Sequence, residues 1–165
     1  MEPPAPQQED APLPAGWVPC PSTSRPGVVY YYNVHSRATR WSPPPANRTD
    51  PTQVRARHIL VKHAEVRNPV SKGAKPGQVT RTREEALRIA EELHREVLKA
   101  PDRFEHVAKT ESDCNSFRLG GDLGKPFKRG DMHKEFSDAA FALDVGEISG
   151  VVSSPSGFHV VQRLE

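Results

Sequence analysis

Cysteine, long apolar runs and an excess of either charge are all scarce in this sequence of 165 residues. The only two cysteines, Cys20 and Cys114, lie far apart in the chain, which argues against a structural disulfide and favours a reducing, intracellular setting. No run approaches the roughly 18 apolar residues that a membrane-spanning helix needs, and no secretory signal pattern opens the chain. The formal net charge of +2 is too small to predict nucleic-acid binding. We therefore expect neither a membrane nor a nucleic acid among its partners.

The hydrophobic content, 35%, is low for one packed globule of this length, and the distribution of proline explains why. Twelve of the 17 prolines lie within residues 1–51, so the composition changes near Pro51. We predict a domain boundary there, because the chain from Val54 onward can bury a modest core of its own. The predicted organisation consists of a disordered tail over 1–12, a small module over 13–45, a stiff linker over 46–53 and a second domain over 54–165.

The small module contains three short strand-like segments with a tryptophan near each end. The run from Val28 to Asn33 is β-branched and aromatic, which favours a strand. So small a sheet has almost no core, and Trp17 stacked on a proline beyond the last strand, Pro44 by its spacing, would supply a clamp. Trp41 is then left on the opposite, exposed face with a tyrosine. Such a pair forms the kind of groove that binds polyproline II peptides.

This stretch resembles a WW domain in its Leu-Pro-x-Gly-Trp start, its Tyr-Tyr-Tyr-Asn strand, its second tryptophan and the prolines that follow. The resemblance implies a three-stranded antiparallel sheet that binds proline-containing ligands, with Tyr31 and Trp41 as the proline clamp. In the phospho-specific members of the family a Ser-Arg pair in the first loop holds phosphate, and Ser24-Arg25 matches that pair. The loop also contains prolines and lacks a second basic residue near Cys20, so an ordinary polar turn stays an alternative.

Periodicity in the second domain predicts strands near its two ends and helices between them. Val54 to His63 has the pattern of a strand, and it carries His58. A basic loop without acids after Glu65 follows this strand and indicates an anion site. Thr82 and Glu85 form a capping box, and the apolar spacing after it predicts a long amphipathic helix. Two shorter helices, starting at Asp102 and Lys134, and two strands, over 151–152 and 158–163, complete a β-α-α-α-β-β order with a small mixed sheet, typical of the α+β class.

The stretch from Glu111 to Gly124 places Cys114 between an acid, Asp113, and a glycine-rich turn, which makes it a candidate site. Together with other motifs it resembles the parvulins, small FKBP-like peptidyl-prolyl isomerases, over residues 54–165. The motifs are His58-Ile-Leu-Val-Lys-His63, Ser112-Asp-Cys114, Gly121-Asp-Leu-Gly124, Met132 with Phe136, Phe141-Ala-Leu143 and Ser156-Gly-Phe-His159. With a WW domain in front, the chain is similar to the Pin-type parvulins, which act on phosphoSer/Thr-Pro motifs.

The resemblance implies two walls for the site. The pocket for the proline ring would consist of Leu123, Met132 and Phe136, which suit a pyrrolidine but would also suit an ordinary core. The polar wall would consist of Cys114, His58, His159, Asp113 and Ser156, with the two imidazoles on neighbouring strands. Rotation about an X–Pro bond breaks no covalent bond, so neither a metal nor a cofactor is expected. Whether Cys114 acts as a thiolate is open, and we favour a non-covalent role.

Substrate choice would rest on Lys62 and Arg67, which would bind a phosphate on the residue before the proline. Members of the family often have a second arginine where this chain has Asn68, so the preference for phosphate is expected to be weaker here. Lys72 or Lys75 could compensate, and the sequence leaves that choice open.

Three functions fit the sequence. The leading one is an isomerase of phosphoSer/Thr-Pro motifs whose WW domain binds the same or similar motifs. The second is a phosphoSer/Thr-Pro binding adaptor with incidental or phosphate-independent turnover. The third, a cysteine hydrolase using Cys114 with His58 or His159, lacks the nucleophile signature of known families. The expected partners are phosphorylated proteins and proline-containing peptides, and we expect a monomer in the nucleus and cytoplasm.

Overall fold

The computed structural model describes residues 12–46, 48 and 50–165, and its strands form three separate sheets. The tail predicted over residues 1–12 lies, except for its last residue, outside the described residues. Among the described residues no helix is long and apolar enough to cross a membrane.

The first sheet is antiparallel and three-stranded, with strands β1 (Trp17–Pro21), β2 (Val29–Asn33) and β3 (Thr39–Arg40) in that order. This confirms the predicted small sheet. Trp17, Asn33 and Pro44 are buried, as the clamp requires. The Asn33 side-chain oxygen accepts from the backbone N–H groups of His35 and Ser36 and so closes the turn between β2 and β3. Trp41 is 53% exposed.

The largest sheet of the second part has strand order β4–β8–β7, with β4 (Ala56–Val61), β7 (Val152–Ser154) and β8 (Gly157–Arg163). Both of its pairings are antiparallel, where a mixed sheet was expected. The tight turn at residues 155–156 accounts for the antiparallel pairing of β7 with β8. The outer edge of β4 is also covered, since the His58 N–H donates to Gly121 O and Leu123 N–H donates to Ala56 O. The α+β class is confirmed.

Three α-helices cover the two faces of this sheet: α1 (Arg83–Lys99), α2 (Phe104–Glu111) and α3 (Lys134–Ala142). Thr82 and Glu85 bond each other's backbone N–H groups, so the capping box predicted for α1 is confirmed. α1 and α2 pack with Ile59 and Val160 in one hydrophobic cluster, whereas α3 packs on the opposite face. The basic loop holds a hairpin that periodicity did not predict, β5 (Val70–Ser71) with β6 (Gly77–Gln78).

The first sheet and the second part are in contact, a point on which the sequence is silent. Ala38, on the turn between β2 and β3, is buried in the same hydrophobic cluster as Phe136 and Phe141 of α3. The Gly150 N–H donates to Ser36 O at 2.8 Å. Arg40 forms an ion pair with Asp144 at 3.1 Å. These contacts dock the β2–β3 turn behind the helix that carries Phe136.

Candidate active site

Two buried histidines meet on the α3 face of the sheet. Side chains alternate along a strand, so His58 of β4 and His159 of β8 both point away from the α1 side, where Ile59 and Val160 lie. Their Nδ1 atoms are 3.0 Å apart and the rings are stacked. The ring of Phe136 lies edge-on to both imidazoles, with centroids at 5.3 and 5.2 Å. The predicted pairing of the two imidazoles is therefore present.

A cavity of about 520 Å³ opens beside this pair. It is lined by seven of the predicted site residues, three apolar and four polar: Leu123, Met132, Phe136, Cys114, His58, His159 and Ser156. Asp131 and His133, which flank the pocket methionine, also line it. The cavity thus brings together apolar and polar residues from both predicted groups.

Cys114 has an unusually acidic thiol. Burial raises its pKa, but the nearby His58 imidazole and Ser116 lower it more, and the pKa falls to about 6. This lowered pKa favours the thiolate form of the Cys114 sulfur, which lines the cavity. Ser116, a member of the short 3₁₀ turn at Asn115–Leu119, was not predicted as part of the site.

The two imidazoles are joined by a hydrogen bond between their Nδ1 atoms. Two Nδ1 atoms at hydrogen-bonding distance require that one donates and the other accepts, so the tautomers are coupled. On the far side, His159 Nε2 lies 2.6 Å from Ser154 Oγ, a partner that sequence reasoning missed although the hydroxyl stands just across the β7–β8 turn. Burial and the adjacent imidazoles hold the pKa of His159 well below its usual value, so this ring is neutral. His58 Nε2 is buried without a hydrogen-bond partner among the described residues.

Asp113 does not line the cavity, in contrast to its predicted place in the polar wall. Its carboxylate is 97% buried and accepts from the Lys62 N–H, from the Ser71 hydroxyl and from Arg81 Nη1. A buried carboxylate needs such donors, and they lie on the loop side of the strand. Asp113 therefore ties the basic loop to the segment that carries Cys114.

Comparisons with known proteins agree with this geometry. The model of the PPIC-type PPIase (rotamase) domain matches residues 58–165. The peptidyl-prolyl cis-trans isomerase ssp-1 of Neurospora crassa is 38% identical over 178 residues, covering 93% of this chain and 96% of that protein. The solved structure of the peptidyl-prolyl isomerase ESS1 from Candida albicans has a TM-score of 0.67 at 32% identity, covering 93% of this chain and 96% of that one.

The chain belongs to the Pin-type parvulins. It is a peptidyl-prolyl cis-trans isomerase with an N-terminal WW-like sheet. The peptidyl-prolyl cis-trans isomerase ESS1 of Saccharomyces cerevisiae, 36% identical over 92% of this chain and 94% of its own length, agrees.

Neither of the two predicted phosphate-binding residues of this parvulin lines the cavity itself. Lys62 directly follows β4, and its ammonium group donates to the backbone oxygens of Asn68 and Val70 at 3.0 and 2.7 Å. Arg67 is exposed, and its backbone N–H donates to Pro155 O, next to Ser156. The Arg67 backbone thus lies beside the segment that carries Ser156, while the Lys62 side chain bonds to the loop.

In the WW-like sheet of the parvulin the structure corrects one predicted residue. Trp41 lies edge-on to Tyr30, with ring centroids 6.0 Å apart, and both line a groove of about 270 Å³. Tyr31, the predicted partner, pairs in register with Arg40, and its side chain lies on the other face because side chains alternate along β2. The sequence held this signal, since Asn33 is buried with Trp17 and Tyr31 is two residues from it.

The predicted phosphate loop of the WW-like sheet borders the same groove. Ser24 lines it, with Ser22 Oγ 3.3 Å from the Ser24 hydroxyl. The Arg25 guanidinium lies over the Trp41 ring at 4.6 Å from its centroid. Both predicted residues are therefore close to the aromatic pair. Within the described residues no group of three His, Cys, Asp or Glu side chains is placed to hold a metal ion.

Proposed function

We propose that this isomerase acts on phosphoSer/Thr-Pro motifs in proteins and that its WW module (residues 13–45) binds the same or similar motifs. The observation that carries the proposal is the position of Arg67. This guanidinium forms no ion pair among the described residues, and its backbone is tied beside Ser156 at the wall of the proline cavity. A phosphate on the residue before the proline would meet a forked cation there.

The catalytic step is a rotation. The planar X–Pro amide resists it with a barrier of about 18–20 kcal/mol, because twisting removes C–N conjugation. Leu123, Met132 and Phe136 would grip the proline ring and hold it while the preceding carbonyl turns. A dry, apolar grip also disfavours water around the amide, which strengthens every electrostatic effect in the cavity.

The Cys114 thiolate would favour the twisted amide without attacking it. In the planar amide the carbonyl oxygen carries extra negative charge, and twisting returns that charge to nitrogen. A fixed negative sulfur beside the oxygen therefore raises the energy of the planar form more than that of the twisted form. Ser156 and the His58–His159 pair, which line the same cavity, would keep the charge on the sulfur and the orientation of the nearby polar groups constant while the amide rotates. A hydrolase mechanism would need the sulfur to form an acyl bond, and isomerisation needs none.

The test is cis/trans exchange measured by NMR on paired Ser-Pro and phosphoSer-Pro peptides with the full-length protein. Fast exchange only with phosphate supports the proposal, and equal rates on both peptides would reject phosphate direction. Phe136→Ala should abolish exchange while peptide binding by the WW module, followed through Trp41, is retained. If wild-type protein binds phosphopeptide but exchanges neither peptide, the adaptor function replaces the proposed one.

A further inference from the structure

The sequence contains two Ser-Pro dipeptides, Ser42-Pro43 and Ser154-Pro155, and no Thr-Pro dipeptide. A serine that precedes a proline is the target of the proline-directed class of Ser/Thr protein kinases. Such a kinase needs an accessible, extended segment with a free hydroxyl. The surroundings of the two serines therefore decide which of them is open to phosphorylation.

Ser154 is not available to a kinase. It ends β7 and is half-buried, and its Oγ lies 2.6 Å from His159 Nε2 and accepts from the Ser156 N–H at 3.1 Å. The chain turns back at residues 155–156 to enter β8, so the segment after Ser154 is not extended. Transfer of a phosphate to this hydroxyl would require the turn to open and the contact with His159 to break.

Ser42 has the opposite surroundings. It lies two residues beyond the end of β3, outside the helices and strands, and both Ser42 and Pro43 are exposed. A residue before a proline favours an extended backbone, which is the form that a kinase binds. Pro44 is buried, so this short segment is anchored to the surface of the module. Of the two Ser-Pro dipeptides, Ser42-Pro43 is the one presented to solvent.

Ser42 also borders the groove of about 270 Å³ that contains Trp41, which we call the WW groove. It directly follows Trp41, and the Arg25 guanidinium lies over the Trp41 ring at 4.6 Å from its centroid. Arg40, which lines the same groove, is already paired with Asp144 at 3.1 Å. Arg25 is exposed, and it is therefore the cation beside Ser42 that is open to an added phosphate.

We propose that Ser42 is a phosphorylation site for proline-directed Ser/Thr kinases, and that its phosphate closes the WW groove by binding Arg25. In the transfer, the Ser42 Oγ bonds to the γ-phosphorus of ATP while the bond from that phosphorus to the β-phosphate oxygen breaks. ADP leaves, and the hydroxyl proton passes to the catalytic aspartate of the kinase. The modification adds a charge of about −1.5 to −2 at neutral pH.

The added phosphate would compete with a bound ligand. In the proposed function the phosphate of the ligand meets Arg25 in the WW groove, so this consequence rests on the proposed function. A phosphate on Ser42 would occupy the same guanidinium from within the chain, and a second phosphate would then be repelled. Binding of phosphoSer-Pro peptides by the WW module would weaken as a result.

The test treats the full-length protein with a mitogen-activated protein kinase and MgATP and maps the phosphate by peptide mass spectrometry. We expect one phosphate, on Ser42. Ser42→Ala should abolish it, Ser42→Thr should restore it, and Ser154→Ala, the matched control, should leave it unchanged. Phosphopeptide binding, followed through Trp41 fluorescence, should weaken about three- to tenfold after treatment, a range set by the exposure of Arg25 to solvent. Kinase-treated Ser42→Ala should bind like the untreated wild type.

Four results are distinguishable. Phosphate on Ser42 together with weakened binding supports the proposal. Phosphate on Ser154, or none on the folded protein, would overturn it and leave the proposed function intact. Phosphate on Ser42 with unchanged phosphopeptide binding would refute closure of the groove, again without affecting the proposed function. If the untreated protein binds phosphorylated and unphosphorylated peptides equally through the WW groove, the proposed function of the module fails, and closure of the groove fails with it.

Discussion

Arg48→Met tests whether the linker holds α3 in place. The Arg48 side chain is 16% exposed, and its guanidinium donates to Phe141 O at 2.6 Å, to Leu143 O at 2.8 Å and to Asp144 Oδ1 at 3.1 Å. The last carbonyls of a helix have no partner within the helix, so an external cation there is stabilising. Methionine would preserve the stem and remove all three hydrogen bonds.

The expected loss of unfolding free energy depends on which hydrogen bonds the three acceptors of Arg48 retain in the variant. Leu143 O still accepts from Arg163 Nη1 at 2.9 Å, and Asp144 still has its ion pair with Arg40. Phe141 O loses its charged donor. One unsatisfied, partly buried carbonyl and one weakened ion pair amount to about 2–3 kcal/mol of unfolding free energy. For a protein of this size that lowers Tm by roughly 5–10 °C.

Urea unfolding followed by circular dichroism measures the loss, and Arg103→Met is the control. Arg103 pairs with Glu96 at 3.5 Å on an exposed surface, where such a pair contributes about 0–1 kcal/mol. Because α3 carries Phe136, kcat/KM on a short peptide should also fall in Arg48→Met. A stability loss no larger than that of the control would refute the argument that the linker supports the helix.

Three further predictions use other parts of the chain. Alkylation of Cys114 by iodoacetamide, followed by mass spectrometry, should speed up with a midpoint near pH 6, and Ser116→Ala should move that midpoint upward because Ser116 lowers the pKa of the thiol; a midpoint above pH 8 in the wild type would contradict the thiolate. Tyr30→Ala should weaken proline-peptide binding by the WW module about tenfold in a Trp41 fluorescence titration. Tyr31→Ala, on the other face of β2, should lower stability instead. The reverse outcome would restore Tyr31 as the partner of Trp41. Gly73→Ala should lower kcat/KM and Tm together, because the added Cβ cannot fit against Ser112. An unchanged Tm would show that the loop moves to make room for it.

Local signals in the sequence were sufficient for much of the fold. The Thr82–Glu85 capping box and the apolar spacing behind it predicted α1, because these interactions act within a few residues. The parvulin resemblance predicted that the strands carrying His58 and His159 would lie next to each other and bring the two imidazoles together. Their Nδ1 atoms are 3.0 Å apart. The β5–β6 hairpin was missed because its strands have two residues each and depend on bonds to Ser112 and Asp113 rather than on their own pattern.

Asp113 shows where residue type misleads. An acid next to a cavity cysteine suggests chemistry, but direction decides its role. Neighbouring side chains in an extended segment point in opposite directions, so Cys114 toward the cavity implies Asp113 away from it. Ser71 and Arg81, which donate to the Asp113 carboxylate in this orientation, lie 42 and 32 residues away in the chain. Alternation could have predicted the direction of Asp113, but not these partners.

The contact between the two parts of the chain is the feature that no local pattern could reveal. Arg40 and Asp144 are separated by 104 residues, and each alone looks like an ordinary surface charge. Ala38 is too small to mark a core position by itself, yet it is buried beside Phe136 and Phe141. Its burial depends on the close approach of the β2–β3 turn to Gly150, where an added Cβ would lie 2.7 Å from Arg37 Cβ. A catalytic domain expressed without its WW module would expose this cluster directly behind the cavity that Phe136 lines. Activity of such a fragment would therefore report on the missing contact as well as on the catalytic residues, which is why the full chain is the right material for separating binding from turnover.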